Sequence, residues 1–245
     1  MPHLGLDLVL LVSAAALFAS TLAAVTGFGG AAVLLPVLVV AFGTRNAVPI
    51  LTVAQLVGNL SRVGFNRREL DYRVVGWFSL GAVPFGVLGG LLFATAPLGP
   101  LTRLLGAFLL LTVVWRRLRP HSGVRPPLRS FALIGGGASF LSALLGSVGP
   151  LMAPFFLAYG LVKGAYIGTE ALSTVVMHVT KLVVYRGAAV LPGSSIAVGL
   201  ALGPLMVAGS WLGKRLVDRL PERVFVTLIE LTLVAAGVLF LVRGY

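Results

Sequence analysis

Along the chain, apolar residues fall in long runs separated by short turns: about 6–26, 30–43, 46–65, 74–94, 100–118, 129–148, 150–160, 165–185, 193–212 and 223–243. Most reach the roughly 20 residues a helix needs to cross a bilayer. The runs 30–43 and 150–160 do not. Each follows a glycine-bearing turn and contains a proline, Pro36 or Pro154, so they predict half-length or broken helices, with tilted helices clipped at their ends as the alternative. One stretch, EALSTVVMHVTKLVVYR, carries ionisable groups inside an apolar helix. At about 100° per residue, Glu170, Thr174, His178 and Lys181 share one narrow arc. Ionisable groups at membrane depth cost roughly 2.5 kcal/mol or more each and usually face a bundle interior or a water-filled path. That face is expected to line a substrate route.

Composition agrees with the pattern. Of 245 residues, 58% are hydrophobic and 11% charged, and the mean hydropathy is +1.03. A soluble domain would need far more charge on its surface. The chain reads as an all-α polytopic membrane protein. No early stretch combines a basic region with a small-residue cleavage site, so the first helix is expected to stay in the mature protein. The absence of cysteine excludes disulfides, thiolate metal sites and cysteine nucleophiles.

The net charge of +12 takes its meaning from placement. If all ten runs cross, one side holds Arg67, Arg68, Arg73, Arg116, Arg117, Arg119, Arg125, Arg129, Lys163, Lys214, Arg215, Arg219 and Arg223. The other holds Arg45, Arg103, Arg186 and Arg243. The positive-inside rule then puts both termini outside and the basic linker 119–128 in the cytoplasm, between a first repeat, 1–118, and a second, 129–245. The basic charge is a topology signal, assisted by anionic lipid; no nucleic-acid partner is expected.

The halves match at an offset of 119 residues, the separation of Gly27 from Gly146. Gly30 then meets Gly149, and Gln55, Asn59 and Arg62 meet Thr174, His178 and Lys181. Gln55, Asn59 and Arg62 also share one helix face. Five segments per half is an odd number, so the second half enters the membrane inverted. Two inverted-topology repeats of about five segments each place a substrate site at their interface.

The segment TGFGGAAVLLPVLVVAFGTRNAVPILTVAQ, followed by the basic patch Asn66–Arg73, resembles the first half of the sulfite exporter TauE/SafE family of membrane transporters. The segment LLGSVGPLMAPFFLAYGLVKGAYIGTEALSTVVMHVTKLVVYRG resembles its other repeat. The resemblance covers nearly the whole chain. It implies an eight-to-ten-helix transporter of the cell inner membrane for sulfur-containing anions such as sulfite, thiosulfate or sulfonates. One departure stands out: the second turn reads Gly146-Ser147-Val148-Gly149, poorer in glycine than the family pattern, so equal binding by both turns is not implied.

An anion site can be assembled from these parts. Gly27, Gly30, Gly146, Ser147 and Gly149 stand before the two short helices, where backbone N–H groups and helix dipoles attract anions; packing glycines are the alternative. Arg62 and Lys181 offer fixed positive charge, as one site or as two gate charges, or else snorkel to the interfaces. Gln55, Asn59 and Thr174 are neutral donors, or glue between helices. His178 and Glu170 are candidates for proton coupling, although Glu170 reads more readily as a helix-starting residue at the cytoplasmic edge. Glu230 is a further carboxylate inside a run. The expected partners are a small anion, membrane lipid and a coupling proton or cation, with a homodimer left open; no metal or cofactor is expected. An enzyme is disfavoured, since only three histidines occur and no H-E-x-x-H, G-x-S-x-G or P-loop pattern appears. A passive anion channel shares the same lining chemistry and stays open.

Overall fold

Each predicted run that falls within the described residues folds as helix. The computed structural model describes residues 5–93, 125–146, 148–221 and, beyond these, 223, 224, 227, 231 and 234. In chain order the helices are α1 (Leu6–Thr26), α2 (Gly30–Phe42), α3 (Thr44–Phe65) and α4 (Tyr72–Leu92), then α5 (Ser130–Leu145), α6 (Gly149–Tyr159), α7 (Lys163–Gly187), α8 (Gly193–Ala201) and α9 (Gly203–Arg219). No strand occurs among the described residues. Five of the stretches are long and apolar enough to cross a membrane: Leu6–Thr26, Asn46–Phe65, Tyr72–Leu92, Lys163–Gly187 and Gly193–Arg219. The chain is an all-α polytopic membrane protein. The runs 100–118 and 223–243, Ser147, Glu230 and most of the linker lie wholly or largely outside the described residues.

The short runs are short helices. At 1.5 Å per residue, the 13 residues of α2 and the 11 of α6 cover roughly 20 and 17 Å of a core about 30 Å thick. Elsewhere the structure departs from the runs. The run 129–148 ends as helix at Leu145, because Gly146 adopts a left-handed φ of 83°. The run 193–212 is not one straight helix: it breaks at Leu202, one residue before the Gly203-Pro204 pair, and then continues to Arg219. Pro204 cannot donate its backbone nitrogen into the preceding turn. The polar extension past 212 is supported by the Lys214–Asp218 pair at 2.7 Å, one turn apart.

The packing repeats between halves. The first helix of each half lies against the last described element of the other, α1 on α9 and α5 on α4. Both crossings are close because glycines remove side chains. A Cβ on Gly81 would collide with the Ala132 carbonyl and one on Gly135 with that of Phe78. In the other crossing, Gly209 and Gly213 face the carbonyls of Leu17 and Thr21, while Ser20 bonds the Met206 carbonyl and meets Ser210 at 3.1 Å. Small residues of this kind let membrane helices gain contact where no hydrophobic drive exists between them.

At the centre, α3 packs against α7 in opposite directions. The end of α3 meets the start of α7: Asn66 touches Gly168, and the Asp71 backbone N–H donates to Thr169 Oγ1 at 2.9 Å. The start of α3 meets the end of α7, where Val48, Val53, Tyr185 and Leu191 form one buried cluster. This antiparallel pair joins the two halves of the chain at the centre of the bundle. The turn after α3, the start of α7 and the end of α9 also share one end of the bundle, because Glu69 reaches Gly164 and pairs with Lys214 at 3.6 Å. That end carries Arg67, Arg68, Lys163, Lys214, Arg215 and Arg219.

Candidate functional site

The turns that open α2 and α6 meet inside the bundle. Gly27, with φ 83°, ends α1; Gly146, with the same φ, ends α5. Phe28 of the first turn packs against Gly149 of the second. The turns are not copies throughout, however. Gly29 has φ 89°, whereas its match, Val148, has φ −141°.

Each half then places a cation on the carbonyl end of its own first helix. Arg62 Nη1 donates to the Ala23 carbonyl at 2.9 Å and the Gly27 carbonyl at 2.8 Å. Lys181 Nζ donates to the Ser142 carbonyl at 3.5 Å, Ser142 Oγ at 3.0 Å and the Gly146 carbonyl at 3.3 Å. Ala23 and Gly27 correspond to Ser142 and Gly146 at the same 119-residue offset that relates Arg62 to Lys181. The last carbonyls of a helix lack intrahelical partners and carry partial negative charge, so a buried cation there satisfies both needs. Neither side chain snorkels: Arg62 is 5% exposed and Lys181 0%.

The pseudo-symmetry fails at one position. Glu170 corresponds to Leu51, so among the described residues Arg62 has a carboxylate facing it, at 3.5 Å, and Lys181 has none. Glu170 is not at a helix edge, as the sequence suggested. It lies in the second turn of α7, buried, because Thr174 Oγ1 donates to its Oε1 at 2.9 Å and Arg62 faces its Oε2. That Oε1 lies 3.9 Å from where a Cβ on Gly149 would stand, close to the start of α6. The carboxylate thus sits as an anion would, between a guanidinium and a helix N-terminus.

Between these groups is a small cavity bordered by Gly27 to Ala31, Gln55, Arg62, Ser142, Val148, Gly149, Glu170, Thr174, Met177 and His178. Its free volume is about 20 Å³, room for about one water molecule. Its lining contains unanswered polar groups. Gln55 Nε2 and both ring nitrogens of His178 are buried without a hydrogen-bond partner. Buried donors and acceptors are rarely left so, and each costs about 1–3 kcal/mol. Among the described residues bordering the cavity, Arg62 and Glu170 are the acid–base pair, and the Lys181 side chain lies behind them.

Of the residues expected from sequence, Gln55, Arg62, Thr174, His178, Glu170, Gly27, Gly30 and Gly149 border the cavity. Asn59, Lys181 and Gly146 stand behind it. Asn59 donates to the Gln55 carbonyl at 2.7 Å and accepts from Arg62 Nη2, so it holds the guanidinium. Sequence reasoning did not find Ser142, which props Lys181, or Tyr166, whose hydroxyl donates to the Thr26 carbonyl at 3.0 Å beneath Gly27. Ser142 was findable as the match of Ala23 at the 119-residue offset; nothing in the sequence marked Tyr166. Among the described residues no group of His, Cys, Asp or Glu side chains could hold a metal ion.

Comparison with known proteins gives one family, described as Sulfite exporter TauE/SafE, matching residues 12–240. No curated protein and no solved structure matches the chain.

Proposed function

The chain belongs to the sulfite exporter TauE/SafE family and is a membrane transporter, and from that premise we propose that it carries a small sulfur-containing oxyanion through the cavity between the two glycine turns. Sulfite, thiosulfate and organosulfonates are the substrate class, and the cytoplasmic membrane is the site of action, with the basic end of the bundle inward. The observation that carries this reading is the set of unpartnered polar atoms, Gln55 Nε2 and the His178 ring, in the lining of a cavity that the Arg62 guanidinium also borders. An oxyanion supplies the missing acceptors, and the starts of α2 and α6 add the positive ends of two helix dipoles.

Glu170 gives the mechanism. In the empty site its carboxylate neutralises Arg62; an arriving anion competes with it for the guanidinium and for the start of α6. Protonation of Glu170 or His178 would relieve that competition, which couples anion and proton movement. The α3–α7 axis offers a pivot about which the two halves rock, as in other inverted-repeat carriers.

A channel needs a continuous path, and the small cavity favours a carrier. Counterflow tests this. Proteoliposomes loaded with unlabelled sulfite are expected to take up labelled sulfite faster than empty ones. Equal uptake in the two would point to a channel, and no uptake of any sulfur oxyanion would remove the substrate class.

A further inference from the structure

Away from the cavity, the outer wall of the bundle opens into a groove where α8 breaks into α9. Val57 and Phe65 of α3 form one side, Gly203 and Pro204 the floor, and Val207 and Trp211 of α9 the other side. Its volume is about 700 Å³ and its walls are almost wholly apolar. Gly203 adds no side chain to the floor, where a Cβ would meet Val57 at 3.4 Å. In the other half, α4 packs on α7, with Gly86 and Gly90 against Thr180 and Val184.

One end of this groove is basic. The Arg215 guanidinium stacks 3.9 Å from the Trp211 ring centroid. Just past Phe65 the chain turns through Arg67 and Arg68, both exposed, and that turn is tied to α9 by Glu69 and Lys214 at 3.6 Å. Lys214 engages both nearby carboxylates, Glu69 and, at 2.7 Å, Asp218. Among the described residues, Arg67, Arg68 and Arg215 have no carboxylate within ion-pair distance. An apolar slot ending in three uncompensated guanidiniums fits a molecule with a hydrocarbon tail and a phosphate at one end. Phosphate is the group guanidinium binds best, through paired hydrogen bonds.

We propose that this groove is a binding site for one anionic phospholipid, its acyl chain along α9 and its phosphate between Arg215 and the Arg67–Arg68 turn. Ordinary boundary lipid would fill the groove without regard to headgroup. The arginines make the site selective.

The intrinsic fluorescence of Trp211 reads this out. The full chain carrying Trp77→Phe and Trp115→Phe keeps Trp211 as its sole tryptophan. It is reconstituted into phosphatidylcholine bilayers containing acyl-brominated phosphatidylglycerol or acyl-brominated phosphatidylcholine. The phosphatidylglycerol is expected to reach half-maximal quenching at about fivefold lower mole fraction, or less, since each basic residue near a surface contributes about that factor. The added triple change Arg67→Gln, Arg68→Gln and Arg215→Gln is expected to erase the difference while leaving quenching by phosphatidylcholine intact. Equal quenching by the two lipids, or a preference that survives the triple change, overturns the proposal. So does shielding of Trp211 from both lipids, the outcome if a second copy of the chain covers the groove.

Discussion

Gly27 and Gly146 share a backbone angle but not a neighbourhood, and the difference gives a stability prediction. Alanine at either must hold φ 83°, a penalty of about 1–2 kcal/mol. At Gly146 the nearest atoms to a new Cβ are at 3.6 Å, an ordinary contact; at Gly27 the new Cβ would enter the Tyr166 ring. Gly27→Ala is therefore expected to lower the melting temperature of the detergent-solubilised protein clearly more than Gly146→Ala. At Glu170 the prediction concerns binding. Charges a few ångströms apart interact by several kcal/mol at an effective dielectric of about 20, so Glu170→Gln is expected to tighten sulfite binding about tenfold or more, read by titration of thermal stabilisation. A looser fit would remove Glu170 as the competitor. The sequence showed these residues on one helical arc, but not their partners. Arg62 read as a site cation, a gate charge or a snorkelling residue because nothing in the spacing reveals that its donors reach the end of α1. The mismatch of Glu170 with Leu51 was visible at the same offset that paired Arg62 with Lys181, and it marks the asymmetry between the halves.

At the scale of elements, the hydrophobic runs within the described residues match the helices, even the two short ones, because helix length and a glycine before a proline-bearing run are local properties. Which helix packs on which was not legible. The α4–α5 and α1–α9 crossings depend on glycines from distant parts of the chain meeting carbonyls. Gly135→Leu is expected to wedge α5 away from Phe78 of α4 and to yield little monodisperse protein, measured by size-exclusion chromatography after solubilisation. Gly137, on the same helix with nothing within 4 Å of a new Cβ, is the control expected to accept leucine. The break at Leu202 escaped notice because the apolar run continues through it, and a proline in a first turn is also an ordinary helix start.

For the whole molecule, one offset and an odd number of segments point to an inverted repeat, although two of the runs in that count lie wholly or largely outside the described residues. The antiparallel α3–α7 pair is the arrangement that expectation calls for. The gathering of Arg67, Arg68, Lys163, Lys214, Arg215 and Arg219 at one end fits the charge asymmetry read from the sequence. Because the chain has no cysteine, single cysteines report sidedness without background. Arg68→Cys and Arg219→Cys are expected to react only with reagent on the cytoplasmic side, and Ala189→Cys and Ser194→Cys only from outside.

In the proposed mechanism, the unpartnered groups around the cavity are kept for the anion. Replacing such a group by an apolar one of similar size relieves a desolvation penalty in the empty protein. Thermal unfolding of wild type, Gln55→Leu and His178→Leu, each with and without sulfite, thiosulfate, taurine and sulfoacetate, tests that trade directly. On that mechanism, both variants are expected to melt at or above the wild-type temperature without anion and to lose the stabilisation that a bound anion gives wild type. Variants that melt lower yet respond to the anion as wild type does would contradict it.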